Sequence, residues 1–389
     1  MIQLAPVYIR QTGSFFPNEP VGNDEMEDVL GRIGGQASRA RRTILRSNGI
    51  QSRHYAIDPK TGRMSHTNTQ ITVEAIRNLV ARSGLDLDHI DCLACGTTTP
   101  DQLMPNHALM VHGELACQPC EVIATSGACL SGLTAMKYAA MSIASGSAAN
   151  AVAAGSELTS AVMRAAHFPK DETPIEKLKE DPVFAFGQDF LRWMLSDGAG
   201  ALWLSNEPAA SGLSLTLDWV EVVSFANELE TCMYWGGRKH DDGTLVGWNQ
   251  AETFADAVES GMMNFTQDAR LLGREISRIT VAKGLSTVRE RRPMSPGEVD
   301  WFLPHYSSNY FREEVYDRLQ EIDFGIPYER WFTNLTEKGN TGAASIYLML
   351  DELFDSGKLE PGQRILGFVP ESARFSVGYL MMTVVEAGS

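Results

Sequence analysis

Positive charge is scarce in this chain, and long apolar runs are missing. The 389 residues carry 33 Lys and Arg against 49 Asp and Glu, a formal net charge of −16. Nucleic acid and anionic membrane surfaces both attract positively charged protein surface, so a general binder of either is not expected. A local basic patch facing an acidic partner remains compatible with that balance. The most apolar stretches are broken by Gly, Ser, Asn or a charge well short of the roughly eighteen residues a membrane-spanning helix needs. The N-terminal MIQLAPVYIRQTGSFF has no basic start followed by an apolar core. No secretory signal is therefore expected there, and the expected compartment is the cytosol. Cysteine is sparse as well. The six present (Cys92, Cys95, Cys117, Cys120, Cys129, Cys232) are expected as reduced thiols in that compartment. What remains is an ordinary globular mix on a chain long enough to bury a core without disulfide or metal support.

Strand-like and helix-like segments alternate along the chain. The segment 72–83, TVEAIRNLVARS, has helical spacing, with Ala75, Ile76, Leu79 and Val80 on one face. Short apolar runs at 90–95, 121–125, 150–154 and 200–204 read as buried strands, and 130 to about 145 as a helix rich in Ala, Ser, Gly and Met. The second half begins near Gly212 with the strand-like LSLTLDWVEVVSF. It continues through a long helical stretch at roughly 253–272, a strand at 300–303, helices at 309–319 and 343–353, and a strand at 364–369. Repetition of this order in both halves suggests two similar α/β units. The charged segment 168–182, FPKDETPIEKLKEDP, reads as a surface excursion with Pro near both ends.

Cys129 stands at a strand–tight turn–helix junction, IATSGACLSGL. Gly127 allows a sharp turn and Ala128 takes little space. At a helix N-terminus, unpaired N–H groups and the helix dipole favour a thiolate and can donate to an oxyanion on an attached acyl group. A buried cysteine can equally be a small hydrophobe. Two later segments bear on that choice. His305 ends the strand-like DWFLPH, and Asn340 lies in EKGNTGAAS just before a helix. Each has a structural account alone, as a satisfied core histidine and as a helix N-cap. Together with Cys129 they form a Cys/His/Asn set suited to acyl transfer.

With those residues in place, the chain resembles the thiolase-fold condensing enzymes, most closely β-ketoacyl-acyl-carrier-protein synthase III. The matching blocks are GIQSRHYA (49–56), GTTTPDQLMPNHA (96–108), SGACLSGL (126–133), SDGAGA (196–201), DWFLPH (300–305) and GNTGAAS (339–345). The resemblance implies an α/β thiolase fold: two fused halves, each with a mixed five-stranded sheet, in a layered α-β-α-β-α core. Residues 1–208 would carry the nucleophile, and 209–389 the His and Asn. It implies a homodimer and an acyltransferase in which Cys129 takes the acyl group as a thioester. His305 and Asn340 would bind the thioester oxygen of a malonyl- or β-ketoacyl-type extender during decarboxylative Claisen condensation. Acyl-carrier protein or acyl-CoA would be the partner. No separate cofactor and no metal are implied, because the substrates arrive on coenzyme A or on carrier phosphopantetheine.

Several departures from the family pattern reshape the expected specificity. The stretch His305-Tyr306-Ser307-Ser308-Asn309 is one residue longer than the family's His-Gln-Ala-Asn. The aromatic residue that stacks on the adenine of coenzyme A has no counterpart in GGQASRARRTILRSNGI (34–50). PESARFSVGY (370–379) replaces a Gly-rich loop, which brings Phe375 forward as a pocket residue. Met104 stands where an aromatic side chain often faces the partner's acyl tunnel. These features point to specialised metabolism of the polyketide or dialkylresorcinol type rather than to housekeeping fatty-acid initiation. Arg39, Arg41, Arg42 and Arg46 form one basic cluster, and Arg289, Arg291 and Arg292 another. Arg39, Arg41, Arg42 and Arg312 are the candidate docking residues for an acidic carrier or its phosphate, with a solvated charged face as the alternative.

The pairs Cys92-x-x-Cys95 and Cys117-x-x-Cys120 resemble half-sites for zinc. Residues three apart in a strand point to opposite faces, however, and neither pair has a turn glycine between its cysteines. No metal is expected from these four. SDGAGA lacks the Lys and spacing of a P-loop and reads as close backbone packing. Against condensation stands a second reading, a Cys-dependent acyltransferase or thioester hydrolase on the same fold without carbon–carbon bond formation. A hydroxymethylglutaryl-CoA synthase needs a Glu where Thr98 stands. A thiolase proper needs a late cysteine, and none follows Cys232.

Overall fold

A computed structural model describes residues 5–38, 41–168 and 190–387. Nine strands form one mixed sheet: β1 (Tyr8–Phe15), β2 (Cys92–Thr97), β3 (Glu121–Ser126), β4 (Asn150–Glu157), β5 (Gly198–Ser205), β6 (Leu213–Ser224), β7 (Trp301–Pro304), β8 (Arg364–Glu371) and β9 (Ser376–Glu386). Their spatial order is β7-β8-β9-β6-β1-β5-β4-β2-β3. Five strands from the first half of the chain and four from the second make two limbs. The limbs pair through Tyr8 opposite Thr216 and Ile9 opposite Leu215. The two five-stranded sheets expected from sequence appear, among the described residues, as limbs of five and four strands that form two layers joined at a narrow seam.

The principal helices are α1 (Asn68–Ser83), α2 (His107–Leu115), α3 (Leu130–Ala144), α4 (Ala269–Ser277), α5 (Gly284–Arg291), α6 (Tyr310–Glu321) and α7 (Ser345–Asp355). Helix α3 packs on β2, β3 and β4 from one limb and on β8 and β9 from the other. Helix α7 likewise bridges β1 and β5 with β7. On the outside, α1 and α2 cover the first limb and α5 packs on β6 and β9. This helix–sheet–helix–sheet–helix layering is the thiolase fold.

The central layer is drawn together by glycines. A Cβ on Gly132 would lie 2.1 Å from the Ala343 carbonyl oxygen, and one on Gly155 2.5 Å from the same atom. The Tyr347 hydroxyl donates to the Gly132 carbonyl at 2.8 Å. A side chain at Gly132 would force α3, and one at Gly155 would force β4, away from the segment before α7, so these glycines set the depth at which the two halves meet.

Some helix boundaries depart from the periodicity. Helix α1 begins four residues before the 72–83 expected from its apolar face, because Thr67 and Gln70 form a capping box there. The long helix expected at 253–272 is broken. A short helix Phe254–Glu259 stops before Gly261 at φ +75°, and α4 starts afresh after Asp268, whose side chain accepts from the Leu271 N–H. Helix α4 then runs through a π-helical stretch, Arg278–Lys283, into α5. Most of the charged excursion at 168–182 lies outside the described residues.

Candidate active site

Strand β3 leads directly into the nucleophile turn. Gly127 takes φ +146°, Ala128 is buried, and Cys129 is the N-cap of α3. His305 follows β7, with its backbone N–H donating to the Phe368 carbonyl at 2.8 Å, so pairing with β8 sets its height. Asn340 is fixed by backbone bonds to the 194–196 segment: its N–H donates to the Met194 carbonyl at 2.9 Å, and its carbonyl accepts from the Ser196 N–H at 2.9 Å.

These three side chains converge on two adjoining cavities. The first, about 470 Å³ including its open mouth, is lined by Cys129 and His305 with apolar Leu272, Ile276, Phe311, Val315 and Phe368. The second, about 510 Å³, is lined by Cys129, Asn340, Thr98 and Glu157 with apolar Leu191, Met194, Leu195 and Phe265. Cys129, Ser307 and Ser372 border both, so the thiol sits where the two chambers join.

The donors opposite the thiol are uncommitted. His305 is 4% exposed, and neither ring nitrogen makes a protein hydrogen bond among the described residues. Burial pushes its pKa down to about 4, so the imidazole is neutral and can offer an N–H without a full charge. A satisfied core histidine would look different. Asn340 Oδ1 accepts from the Gly342 N–H at 2.9 Å, a local turn rather than the helix N-cap weighed from sequence, since Thr341 and Ala344 hold the cap positions that follow. That bond orients the amide and leaves Nδ2 free to donate.

Two carboxylates that sequence reasoning missed flank the thiol. Glu371, at the end of β8, accepts through Oε2 from the N–H groups of both neighbours of Cys129: Ala128 at 3.1 Å and Leu130 at 3.0 Å. Glu157, at the end of β4, accepts from the Thr98 N–H at 3.2 Å, the Thr99 hydroxyl at 2.9 Å, the Ala343 N–H at 3.1 Å and the Thr98 hydroxyl. Burial raises both, Glu157 to about 7, against the pull of these donors. Burial also raises the Cys129 thiol, and Glu371 and Glu157 add to that rise. The expectation of a thiolate favoured by the helix N-terminus is therefore overturned for the resting site. The Glu371 carboxyl already occupies these N-terminal amides, and burial beside two carboxyls pushes the thiol up rather than down. The clue in the sequence was PESARF itself, but the register that places Glu371 against α3 is a tertiary fact.

The remaining candidates divide. Phe375 is fully buried with φ +55° and lines neither cavity; it closes the β8–β9 hairpin and belongs to the hydrophobic core. Met104 is 86% exposed and also lines neither cavity. Arg39 lies outside the described residues. Arg41 is engaged within the chain, paired with Asp24 and donating to the Asn23 carbonyl at 2.9 Å. Arg42 is exposed. Arg312 is exposed at the start of α6, next to the lining residue Phe311, with its guanidinium over the Tyr328 ring. In the other cluster, Arg291 and Arg292 pair with Glu221. SDGAGA is a packing block. Asp197 accepts from the Ala56 N–H at 2.7 Å and the Ser160 N–H at 2.8 Å, and Gly200 faces Tyr347.

Comparison with known proteins agrees with this architecture. The family model described as 3-oxoacyl-[acyl-carrier-protein (ACP)] synthase III C terminal matches residues 290–382, and that of the thiolase N-terminal domain matches 52–181. A β-ketoacyl-[acyl-carrier-protein] synthase III of Xanthomonas campestris pv. campestris (strain 8004) is 24% identical over 359 residues, covering 92% of each chain. Among solved structures, AbyA1, a tetronic acid condensing enzyme, aligns with TM-score 0.74 at 19% identity over 97% of this chain and 99% of its own. A single-residue variant of OleA from Xanthomonas campestris gives 0.73 at 17% identity over 98% and 100%. The synthase III of Aquifex aeolicus VF5 gives 0.67 at 20% identity over 97% and 99%. The chain is thus a thiolase-fold condensing enzyme similar to β-ketoacyl-acyl-carrier-protein synthase III.

Proposed function

We propose that this enzyme joins an acyl group held on Cys129 to a malonyl-type thioester by decarboxylative Claisen condensation. The observation that carries this is the junction: one thiol borders two chambers, with His305 on one and Asn340 on the other, each with an unused donor. In the first half-reaction the thiol loses its proton and attacks the donor thioester, and the carrier thiol leaves. In the second, loss of CO₂ from the extender leaves an electron pair on its α-carbon. His305 and Asn340 donate to the thioester oxygen where that charge collects. The carbanion attacks the acyl-Cys129 carbonyl, and the thiolate leaves to regenerate the enzyme. A neutral imidazole suits the enolate better than a strong acid would, since it does not hand over its proton and quench the carbanion.

Hydrolysis or simple acyl transfer forms no enolate, so the unused donors of His305 and Asn340 favour condensation. Supplying an acyl thioester with a malonyl thioester labelled at the carboxylate carbon tests this. The expected result is labelled CO₂ released in step with a β-ketoacyl product. Free acid without CO₂ would support the hydrolase reading instead.

The finer proposals rest on surface features. Arg312 and Arg42 are the exposed cations suited to an acidic carrier or its phosphate. Strand β3 is the free edge of the sheet and is partly exposed along its length, with Leu103 and Met104 exposed in the same half. Such an edge suits pairing with a second copy, which sedimentation would reveal as a dimer. None of the described helices is long and apolar enough to cross a membrane, and the six cysteines are free, as a reducing cytosol would keep them. The largely apolar lining of both chambers suits the acyl end of a substrate and supports a place in specialised polyketide or alkylresorcinol synthesis.

A further inference from the structure

We propose that His112, Cys117 and Cys120 form a binding site for a thiophilic d¹⁰ cation, with Zn²⁺ as the probe, at the far end of the strand that delivers Cys129. One ligand atom from each of the three residues lies within 4.8 Å of the other two. This is the separation from which small side-chain adjustments close a tetrahedral nitrogen–sulfur set. Two sulfurs and one imidazole select a soft or borderline cation over Mg²⁺ or Ca²⁺. The fourth position is open to water, because all three residues are only partly buried.

The site differs from the four-cysteine set suggested by spacing. Cys92 and Cys95 belong to hydrophobic clusters on opposite faces of the sheet, so they cannot serve together. The third ligand comes instead from the last turn of α2. His112 sits one turn before the C-cap Ala116, which takes φ +54° and donates its N–H to the His112 carbonyl at 3.1 Å. That left-handed residue reverses the chain and returns Cys117 and Cys120 beneath the imidazole.

The surrounding bonds hold the ring and the turn in place. Nε2 of His112 lies 3.2 Å from the Gln118 carbonyl oxygen. With Nε2–H donating to that carbonyl, the lone pair resides on Nδ1, and a backbone carbonyl on the second ring nitrogen is the usual orienting contact of a metal-bound histidine. The Gln118 N–H in turn donates to Asp88 Oδ1 at 3.2 Å, which brings an exposed carboxylate to the loop and favours a cation there.

The position gives the site a structural consequence. Cys120 immediately precedes β3, and β3 runs about 20 Å to the Gly127–Ala128–Cys129 turn. A cation bridging α2 to Cys120 would anchor the outer end of the sheet's free edge strand. That would stiffen the strand whose far end aims the nucleophile.

The test uses the full chain carrying Cys129→Ala, so that uptake at the nucleophile does not register. Tag-free protein, reduced and stripped with a chelator, is titrated with Zn²⁺ against a colorimetric chelator and separately with Co²⁺. The expected result is one equivalent per chain, with visible tetrahedral Co²⁺ bands and sulfur-to-metal charge transfer. Cys117→Ser and Cys120→Ser should each weaken Zn²⁺ binding at least a hundredfold, and His112→Ala at least tenfold. Each variant should keep the circular dichroism spectrum of the metal-free parent, which separates ligand loss from misfolding. Absence of uptake by the reduced, folded parent would overturn the proposal. So would uptake unchanged in the Cys117→Ser/Cys120→Ser double variant, or a Cys117–Cys120 disulfide that persists in reducing buffer.

Discussion

Replacing Glu371 with Gln should make the nucleophile more reactive. Gln keeps the size and one carbonyl oxygen, so the bonds from the Ala128 and Leu130 N–H groups can persist. What disappears is a negative charge beside a thiol that must ionise to react. Bonding to both neighbours of Cys129 places that charge within roughly 6 Å of the sulfur, where an effective dielectric of about 20 gives an interaction near 3 kcal/mol. Burial holds the Glu371 carboxyl above its usual range, so part of that charge is already quenched at low pH. The net expectation is a thiolate fraction about tenfold to a hundredfold larger near pH 8, where a unit of pKa corresponds to about 1.4 kcal/mol. The assay is the pH profile of Cys129 alkylation by iodoacetamide, read on the intact protein by mass. The profile should move to lower pH in Glu371→Gln. An unchanged profile would mean that the carboxylate does not control the thiol. A move to higher pH would mean that Glu371 acts as the base that removes the thiol proton.

Three further outcomes follow from the same geometry. Glu157 has a folded-state pKa raised to about 7, so its contribution to stability is present below the unfolded value near 4.5 and is lost as pH rises through about 7. Glu157→Gln should therefore gain melting temperature relative to the parent between pH 5 and 8 and show little gain at pH 4; a difference that does not change with pH would contradict this. Gly132→Ala places a methyl 2.1 Å from the Ala343 carbonyl oxygen and should destabilise by roughly 2 kcal/mol or more, seen as a fall in denaturant midpoint, with a retained midpoint counting against the tight central layer. Arg312→Glu should raise KM for a carrier-bound substrate more than for a short thioester mimic, and an equal rise for both would remove Arg312 from docking.

The layered fold and the meeting of Cys129, His305 and Asn340 at two adjoining cavities were legible because each is written locally. Cys129 follows a short strand and Gly127, His305 ends an apolar strand, and Asn340 sits in a Gly-flanked turn before α7. Glu371 was not legible as a neighbour of the thiol. Its position depends on β8 running two residues beyond the expected 364–369 and on the β8–β9 hairpin turning at Phe375. That hairpin also explains the misplacement of Phe375, whose apolar ring serves the core rather than the cavity. The break at Gly261 was hidden because its flanks, Phe254–Glu259 and Ala269–Ser277, each keep helical periodicity, while the caps at Thr253 and Asp268 decide the ends. His112 escaped the cysteine reading because a strand-and-spacing argument does not register a ligand from the preceding helix turn.

The central claim is a division of labour at the junction of two chambers: Cys129 carries the acyl group, and His305 with Asn340 stabilises the extender's enolate. Intact-protein mass spectrometry and CO₂ release, measured on His305→Ala and on Asn340→Ala, test it most directly. Both variants should still gain the mass of the acyl group on Cys129, while decarboxylation falls by roughly a hundredfold, as expected for losing one such donor. Loss of acylation and decarboxylation to the same extent, or full CO₂ release in either variant, would contradict it.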